Sequence, residues 1–377
     1  MRIGLDVAQT AAERAGCAWY ADSLAKALVA AARPRGHDFV LYHQFGDWIN
    51  GEPGHGTYLT GRDVAMPMFD LLPLPARTLW RAIEAGHEPL PGAPDVVIAS
   101  SFHAPRLPGT QLVYVVHDLA FWTHPDFSTD ATRLVCQREL GQALGRAAAW
   151  LFLSQSTQHD FETLFPGWLA RSRRPHAIAS GGSRWAKVTA PAPRPSHAPW
   201  LMVGSIEPRK NHACALDAYE RYHAASPNPR PLRIVGGRGW HAEAIHARIA
   251  ELNRRGLPVD YAGYLDDRAL REVFTTAFAL LQPSWHEGFG LPVLEAFTQG
   301  LPVIASNTAS LPEVAGGAAL HCPPDDPTAW ATTMARLDIE PGLADDLAVK
   351  GLARADAYSW DGTAKTVLEL IESLPLA

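Results

Sequence analysis

Short blocks of consecutive apolar residues punctuate the chain, and the longer stretches between them carry apolar side chains at helical spacing. The blocks predict strands at Arg2–Val7, Phe39–Tyr42, Val96–Ser100, Gln111–Val116 and Ala149–Ser154. A second series follows at Trp200–Val203, Leu232–Val235, Val259–Tyr261, Phe278–Gln282, Pro302–Ala305 and Ala318–His321. Uniformly apolar strands alternating with amphipathic helices belong to a parallel sheet covered on both faces. Residues 188–199 interrupt the pattern with a density of proline that excludes a helix or a central strand, so they predict a linker. The expectation is an α/β chain of two doubly wound, Rossmann-like domains, residues 1–187 and 200–357, with ligands held where strand ends face a cleft. A length of 377 residues, 47% of them hydrophobic, lets each domain bury its own core.

The most informative stretch runs from Ser284 to Asn307. An apolar strand ends in a loop containing His286, Glu287, Gly288, Phe289 and Gly290, and a helix with Pro292 in its first turn follows. Glu287 falls on the loop and Glu295 about one turn into the helix, so both can face one crevice. Free amides at the helix start suit a phosphate, and the glycines allow a ligand close to the backbone. Acceptor-only carboxylates beside an anion site suit the vicinal hydroxyls of sugars. Arg209 and Lys210 follow the strand Trp200–Val203 and its turn Gly204-Ser205. A guanidinium beside an ammonium suits a diphosphate leaving group. Gly236 and Gly237 after the next strand offer weaker support for a phosphate site. His117 and Asp118 follow the strand Gln111–Val116 at its carboxyl end.

These residues carry a family resemblance. Glu287 to Glu295 resembles the E-x7-E signature of retaining glycosyltransferases of family 4, group 1, which have the GT-B fold. Gly204 to His212 is similar to the motif that opens their donor-binding domain, and Val116 to Leu119 to their acceptor-side HD element. Tyr358 to Asp361 with its apolar tail resembles the terminal helix that returns to the first domain, here residues 358–377. The resemblance implies that Arg209 and Lys210 hold the diphosphate, Glu295 the ribose hydroxyls and Glu287 the hydroxyls of the transferred sugar. Ser205 lies within the opening motif, and backbone amides around Phe289, Gly290 and Leu291 complete the donor contacts. The base is expected near Gly236, Gly237, Tyr264 and Leu265. His117 is implied beside the reacting carbon, with Asp118 on the acceptor side, orienting His117 or capping the next segment. Gly16 takes the position of the family's glycine-rich loop, but with Ala15, Cys17 and Ala18 around it. The turn Ile178 to Trp185 also departs from the family's usual sequence and receives no site residue.

A net charge of −6, with basic and acidic residues balanced over residues 1–190, speaks against a nucleic-acid partner. Four scattered cysteines predict neither disulfide framework nor zinc site, and no metal or other cofactor is expected. No apolar run is long enough to span a bilayer, and the first strand begins at once, so a cytoplasmic address is expected. The resemblance points to bacterial mannosyltransferases of surface-polysaccharide assembly, with GDP-mannose as the first expectation for the donor, UDP-glucose, UDP-GlcNAc, GDP-fucose and dTDP-rhamnose as alternatives, and a glycan or lipid-linked oligosaccharide as acceptor. Arginines 171, 173 and 174, with aromatics at Phe121-Trp122 and Phe165 to Trp168, raise the expectation of peripheral membrane contact. The rival functions are a GT-B sugar-nucleotide epimerase and a catalytically silent nucleotide-sugar-binding protein. A nicotinamide-dependent oxidoreductase fits worse, because no GxGxxG follows the first strand. Loss of Glu287 or Lys210 is expected to abolish transfer and leave folding nearly intact. No residue pattern specifies an oligomeric state.

Overall fold

The computed structural model describes residues 1–11, 15–49 and 56–375, so Glu13 and Arg14 of the expected glycine-loop region lie outside the described residues. The chain divides into two compact units, one of residues 1–125, 130–182 and 359–377, the other of residues 126–129 and 183–358.

The first unit is built on a seven-stranded sheet of order β3-β2-β1-β4-β5-β6-β7. Its strands are β1 (Arg2–Asp6), β2 (Asp38–Tyr42), β3 (Val64–Ala65), β4 (Val96–Ala99), β5 (Gln111–Val116), β6 (Ala147–Phe152) and β7 (His176–Ile178). All neighbours are parallel. The central strands β4 and β5 are buried along almost their whole length, as helices on both faces require. Aromatic side chains dominate this core, among them Trp150, Phe152, Phe161, Tyr42, Phe45 and Trp80. The helix Trp360–Glu372 belongs to this unit. Ser359 caps it by accepting from Gly362 N at 3.0 Å, and Trp360 meets Tyr20 of the helix Gly16–Ala32 edge-on at 5.4 Å. The edge strands β3 and β7 escape the sequence pattern because they are short and only partly covered.

The second unit has six parallel strands in the order β10-β9-β8-β11-β12-β13. They are β8 (Trp200–Val203), β9 (Leu232–Val235), β10 (Val259–Tyr261), β11 (Ala279–Gln282), β12 (Val303–Ser306) and β13 (Leu320–Cys322). Trp200, Tyr219, Tyr222 and Trp330 are fully buried around it. Strand order reverses between β8 and β11, which pair directly through Ala279 with Trp200 and Leu280 with Leu201. This is the switch point of the sheet, and the loops leaving β8 and β11 start there.

Residues 188–199 form neither helix nor strand, but they are more than a spacer. The guanidinium of Arg194 donates to the carbonyls of Phe274, Thr275 and Ala277 through Nη1 at 2.9 to 3.1 Å. It also donates to Gln299 and Gly300 through Nη2 at 3.3 and 2.8 Å. One planar fork thus satisfies the carbonyl ends of two helices, Asp267–Thr276 and Leu291–Thr298. Burial lowers its pKa to about 10, so the group stays charged at neutral pH. Arg194→Ala orphans these carbonyls, which costs about 3 kcal/mol. In a unit of this size the expected fall in Tm is about 6–12 °C. Arg194→Lys should recover little of it, since one ammonium cannot serve both helix ends; calorimetry of the three proteins checks this.

Candidate functional site

The sequence GSIEPRKNH leaves β8 through a tight turn, and Pro208–Lys210 form one turn of 3-10 helix. Asn211 ends that turn with φ +58°, a left-handed conformation that asparagine tolerates. Its amide donates to the carbonyls of Pro283 and Pro324 at 3.0 and 2.7 Å, tying this loop to the one that leaves β11. Trp285 N donates to Arg209 O at 2.9 Å and closes the same junction. Two loops that are 77 residues apart in sequence are therefore held side by side at the switch point.

Between them lies a buried charge cluster. Lys210 Nζ donates to Glu287 Oε1 at 2.7 Å, and Arg209 Nη1 donates to Glu287 Oε2 at 2.7 Å. Ser284 Oγ and Gln282 Nε2 add donors to Oε1 at 2.7 and 2.8 Å. Arg209 Nη2 reaches Glu207 Oε1 at 2.7 Å, and Arg209 Nη1 also donates to the carbonyl of His286 at 3.0 Å. Glu207, Lys210 and Glu287 are all buried. Burial by itself raises the pKa of Glu287, but the Lys210 ammonium, the Arg209 guanidinium and the Ser284 hydroxyl outweigh it and hold the carboxyl well below the usual carboxylate range.

Gly290 caps the following helix with φ +104°, and Pro292 sits in its first turn. The first amides of that helix have no intrahelical acceptor and point out of its start. Ser310 Oγ donates to the carbonyls of Glu287 and Phe289 at 2.8 Å each and fixes the path of the loop. Phe289 is buried against Tyr358, with ring centres 5.3 Å apart. The amides around Phe289, Gly290 and Leu291 are thus fixed on the same loop as Glu287.

Gly204, Ser205 and Gly236 gather at the ends of β8 and β9. Gly204 N donates to Val235 O at 2.9 Å and Ile206 N to Gly237 O at 3.0 Å. A β-carbon at Gly236, where φ is +155°, would lie 2.0 Å from the Gly204 carbonyl oxygen. Backbone-to-backbone approach accounts for this glycine. Tyr264 is exposed and Leu265 half-buried on the next loop, beyond Gly263, whose carbonyl accepts from Gly236 N at 2.9 Å.

Glu295 does not join the Glu287 cluster. It is buried one turn into its helix and faces Arg184, whose Nε lies 3.0 Å from Oε1 and whose Nη2 lies 3.3 Å from Oε2. Burial, helped by the neighbouring charge of Asp267, pushes the Glu295 carboxyl up to about 7 against the opposing pull of Arg184. Arg184 was not expected from sequence, since it stands in the turn that departs from the family. The other missing members are Glu207, Gln282 and Ser284. Only Glu207 had a visible signal, as an acid two residues before Arg209.

In the first unit His117 is buried at the end of β5. Its Nε2 donates to Ser100 O at 2.7 Å, and Tyr20 and Phe102 pack on the ring. Burial pushes its pKa down, but Cys17 beside the ring, the Ser100 carbonyl and Asp118 push it up, and the net shift is upward. Asp118 Oδ1 accepts from Ala120 N at 3.0 Å, so it caps the short helix Ala120–Thr123. Gly16 is the first residue of the helix Gly16–Ala32, exposed, with extended Ala15 before it, so it opens a helix rather than lying within a loop.

Of the aromatics expected at a membrane surface, Trp122 is exposed and edges onto Phe165, while the others pack inward. Phe121 is buried, and Trp168 packs on Trp150 and Phe161 with Arg174 over its ring. Arg174 is also tied to the carbonyls of Leu144 and Gly145. Arg171 and Arg173 remain exposed. No helix among the described residues is long and apolar enough to cross a membrane. Asp47, His103 and Glu139 in the first unit bring potential metal-ligand atoms within 4.8 Å of one another. Arg138 already bridges both carboxylates, at 2.9 Å to Asp47 and 2.8 Å to Glu139, and its charge opposes a cation there.

Two doubly wound units, one with buried cations and carboxylates at its switch point, define the class: this is a glycosyltransferase with the GT-B fold. Residues 199–338 match the family of glycosyl transferases group 1. It is 29% identical over 262 residues to O-antigen chain mannosyltransferase B of Escherichia coli, covering 68% of each chain. Identity to the serotype-specific mannosyltransferase WbdA of Escherichia coli is 26% over 213 residues, 51% of this chain but 25% of that longer protein. The fold is similar to that of sucrose-phosphate synthase from Thermosynechococcus elongatus, with a TM-score of 0.71 at 20% identity, covering 99% and 98% of the two chains.

Proposed function

We propose that this glycosyltransferase moves a mannosyl group from GDP-mannose, with retention of anomeric configuration, to a hydroxyl of a glycan or lipid-linked oligosaccharide during surface-polysaccharide assembly. The observation that carries the proposal is the Arg209, Lys210 and Glu287 cluster at the switch point of a group 1 domain. The mannosyltransferase relatives favour the sugar. In this assignment Arg209 and Lys210 meet the diphosphate, Glu287 accepts hydrogen bonds from hydroxyls of the transferred sugar and Glu295 from those of the ribose. Glu207 and Glu287 together balance the charge of Arg209 and Lys210. A bound diphosphate therefore competes with carboxylates for its cations, and the helix amides at Gly290 and Leu291 add the surplus positive potential.

The chemistry breaks the bond from the anomeric carbon to the diphosphate oxygen and forms a bond from that carbon to the acceptor oxygen on the same face. The acceptor proton passes to the departing diphosphate oxygen. Charge growing on that oxygen is what Lys210, Arg209 and the amides stabilise, so they act more strongly in the transition state than on the bound donor. No metal ion has a role in this scheme. A cytoplasmic site of action, with Arg171 and Arg173 toward an anionic membrane surface, fits a lipid-linked acceptor.

A thermal-shift panel of nucleotides and nucleotide-sugars with chelator present, followed by assay of nucleoside diphosphate release, tests the proposal. A selective shift with GDP-mannose and chelator-resistant turnover support it. A selective shift with a uridine or thymidine donor replaces the sugar assignment, and binding without turnover on any glycan acceptor favours a silent binding protein.

A further inference from the structure

The Glu295 carboxylate is the more heavily buried half of an ion pair, at 4% exposure. Its partner comes from a turn, Gly182 to Trp185, that carries no recognised donor-site motif. The Arg184 fork lies flat along the carboxylate, Nε at 3.0 Å from one oxygen and Nη2 at 3.3 Å from the other. Besides Glu295, the guanidinium meets Asp267 and Trp185, which are also bonded to each other. Its Nε lies 3.2 Å from Asp267 Oδ1, its face stacks on the Trp185 ring at 4.8 Å, and Trp185 Nε1 donates to the same Asp267 oxygen at 3.0 Å. Ser183 anchors the turn to the Glu295 helix through the Thr298 hydroxyl at 3.0 Å, and its Oγ accepts from Trp185 N at 3.1 Å.

An ionised carboxylate offers about four lone-pair positions. Arg184 takes one of them through Nη2, its Nε lying alongside the other oxygen as an ion-pair contact, and leaves positions on both oxygens for a second pair of donors. Two neighbouring hydroxyls are a donor pair of matching spacing, and a single hydroxyl is not. The carboxylate must be ionised to accept both; burial and Asp267 oppose ionisation, and the guanidinium favours it.

We infer that Arg184 is a positioning residue that orients the Glu295 carboxyl group as a receptor for a vicinal diol, making this site selective for ribonucleoside over 2′-deoxyribonucleoside diphosphates. The inference rests on the assignment of Glu295 to the ribose. It goes further in naming a residue outside the motifs and in setting thymidine-type donors, which lack the 2′-hydroxyl, at a disadvantage.

Titration calorimetry of GDP and UDP, each beside its 2′-deoxy form, provides the test across pH 6–9 on wild type, Arg184→Gln, Arg184→Lys and Glu295→Gln. Wild type should bind the better ribonucleotide at least about tenfold more tightly than its deoxy counterpart, the scale of one charged hydrogen bond. Arg184→Gln should lose most of that preference and bind the deoxy form almost as wild type does, with Arg184→Lys between. The groups facing Glu295 are Arg184 and Asp267, and removing the cation leaves only the anion. The rising pH limb of ribonucleotide binding should therefore move to higher pH in Arg184→Gln and be missing in Glu295→Gln, whose own titration of the nucleotide phosphate serves as baseline. A merely structural arginine would weaken both nucleotides equally and leave the limb in place, which overturns the inference. Equal binding of ribo and deoxy forms by wild type also overturns it. Failure of wild type to bind any of the four nucleotides overturns the donor-site assignment itself.

Discussion

Lys210→Ala is expected to lower kcat/KM for glycosyl transfer by about 10²–10³-fold, the usual consequence of removing one donor aimed at developing negative charge. The ammonium is buried, with its direction set by Glu287 at 2.7 Å and its stem packed against Gly204. Its position is therefore held by the protein itself, so on the proposed assignment the charge is in place near the diphosphate before the bond breaks. The loss should fall mainly on kcat, because the leaving oxygen carries more charge in the transition state than in the bound donor. Lys210→Arg should rescue poorly. A guanidinium is wider than an ammonium, and a β-carbon built on Gly204 already lies 3.1 Å from the Lys210 ε-carbon, a measure of how closely that turn encloses the stem. Initial rates of nucleotide release, with Tm recorded alongside, provide the check. A fall of less than about threefold, well under the effect of a single transition-state donor, would remove Lys210 from the chemistry.

Glu287→Ala is expected to damage the fold as well as the reaction. It leaves the Lys210 and Arg209 cations in a buried site without their shared carboxylate, and it strands the Ser284 hydroxyl and Gln282 amide. Breaking a buried pair in this way costs about 3–5 kcal/mol. For a unit of this size that is a fall in Tm of about 6–20 °C. As a loop residue Glu287 is expected to be dispensable for folding; its ion pairs overturn that expectation. Glu287→Gln keeps most of the shape and should recover part of the stability, but little of the activity. The pH dependence has a definite sign. The folded-state pKa of Glu287 lies below its unfolded value, so its stabilisation is complete above the unfolded pKa and is lost as pH falls through that value toward the folded one. Acid unfolding of the wild type should therefore be steeper than that of Glu287→Gln. Identical acid limbs would show that the ion pairs contribute nothing net.

The strands nearest the site were the most legible. β5, β8 and β11 are mostly apolar runs buried on both faces, and β9 stands out although half-buried Arg233 interrupts it. The edge strands β3 and β7 lacked that signal because an edge needs no unbroken apolar run. Within the site, Arg209, Lys210 and Glu287 were legible because each lies directly after a strand end. Glu207, Gln282 and Ser284 were not, since a buried polar residue beside an apolar strand looks like any loop residue until its partner is known. Arg194 was hidden in the same way: in a proline-rich segment it reads as a solvated charge, yet it closes two helix ends.

Sequence by itself determined the class of fold and the pair of loops that meet at the second switch point. Those follow from hydrophobic period and turn chemistry, which act over a few residues and leave a local trace. Tertiary structure alone decided which charges pair. Glu287 and Glu295, eight residues apart in one motif, go to different cations: the first to Lys210 and Arg209, the second to Arg184. The physical reason is that an ion pair depends on distance and burial, not on sequence separation. Low local dielectric makes the choice of partner decide the ionisation state, holding one carboxylate far below the ordinary range and pushing the other up to about 7.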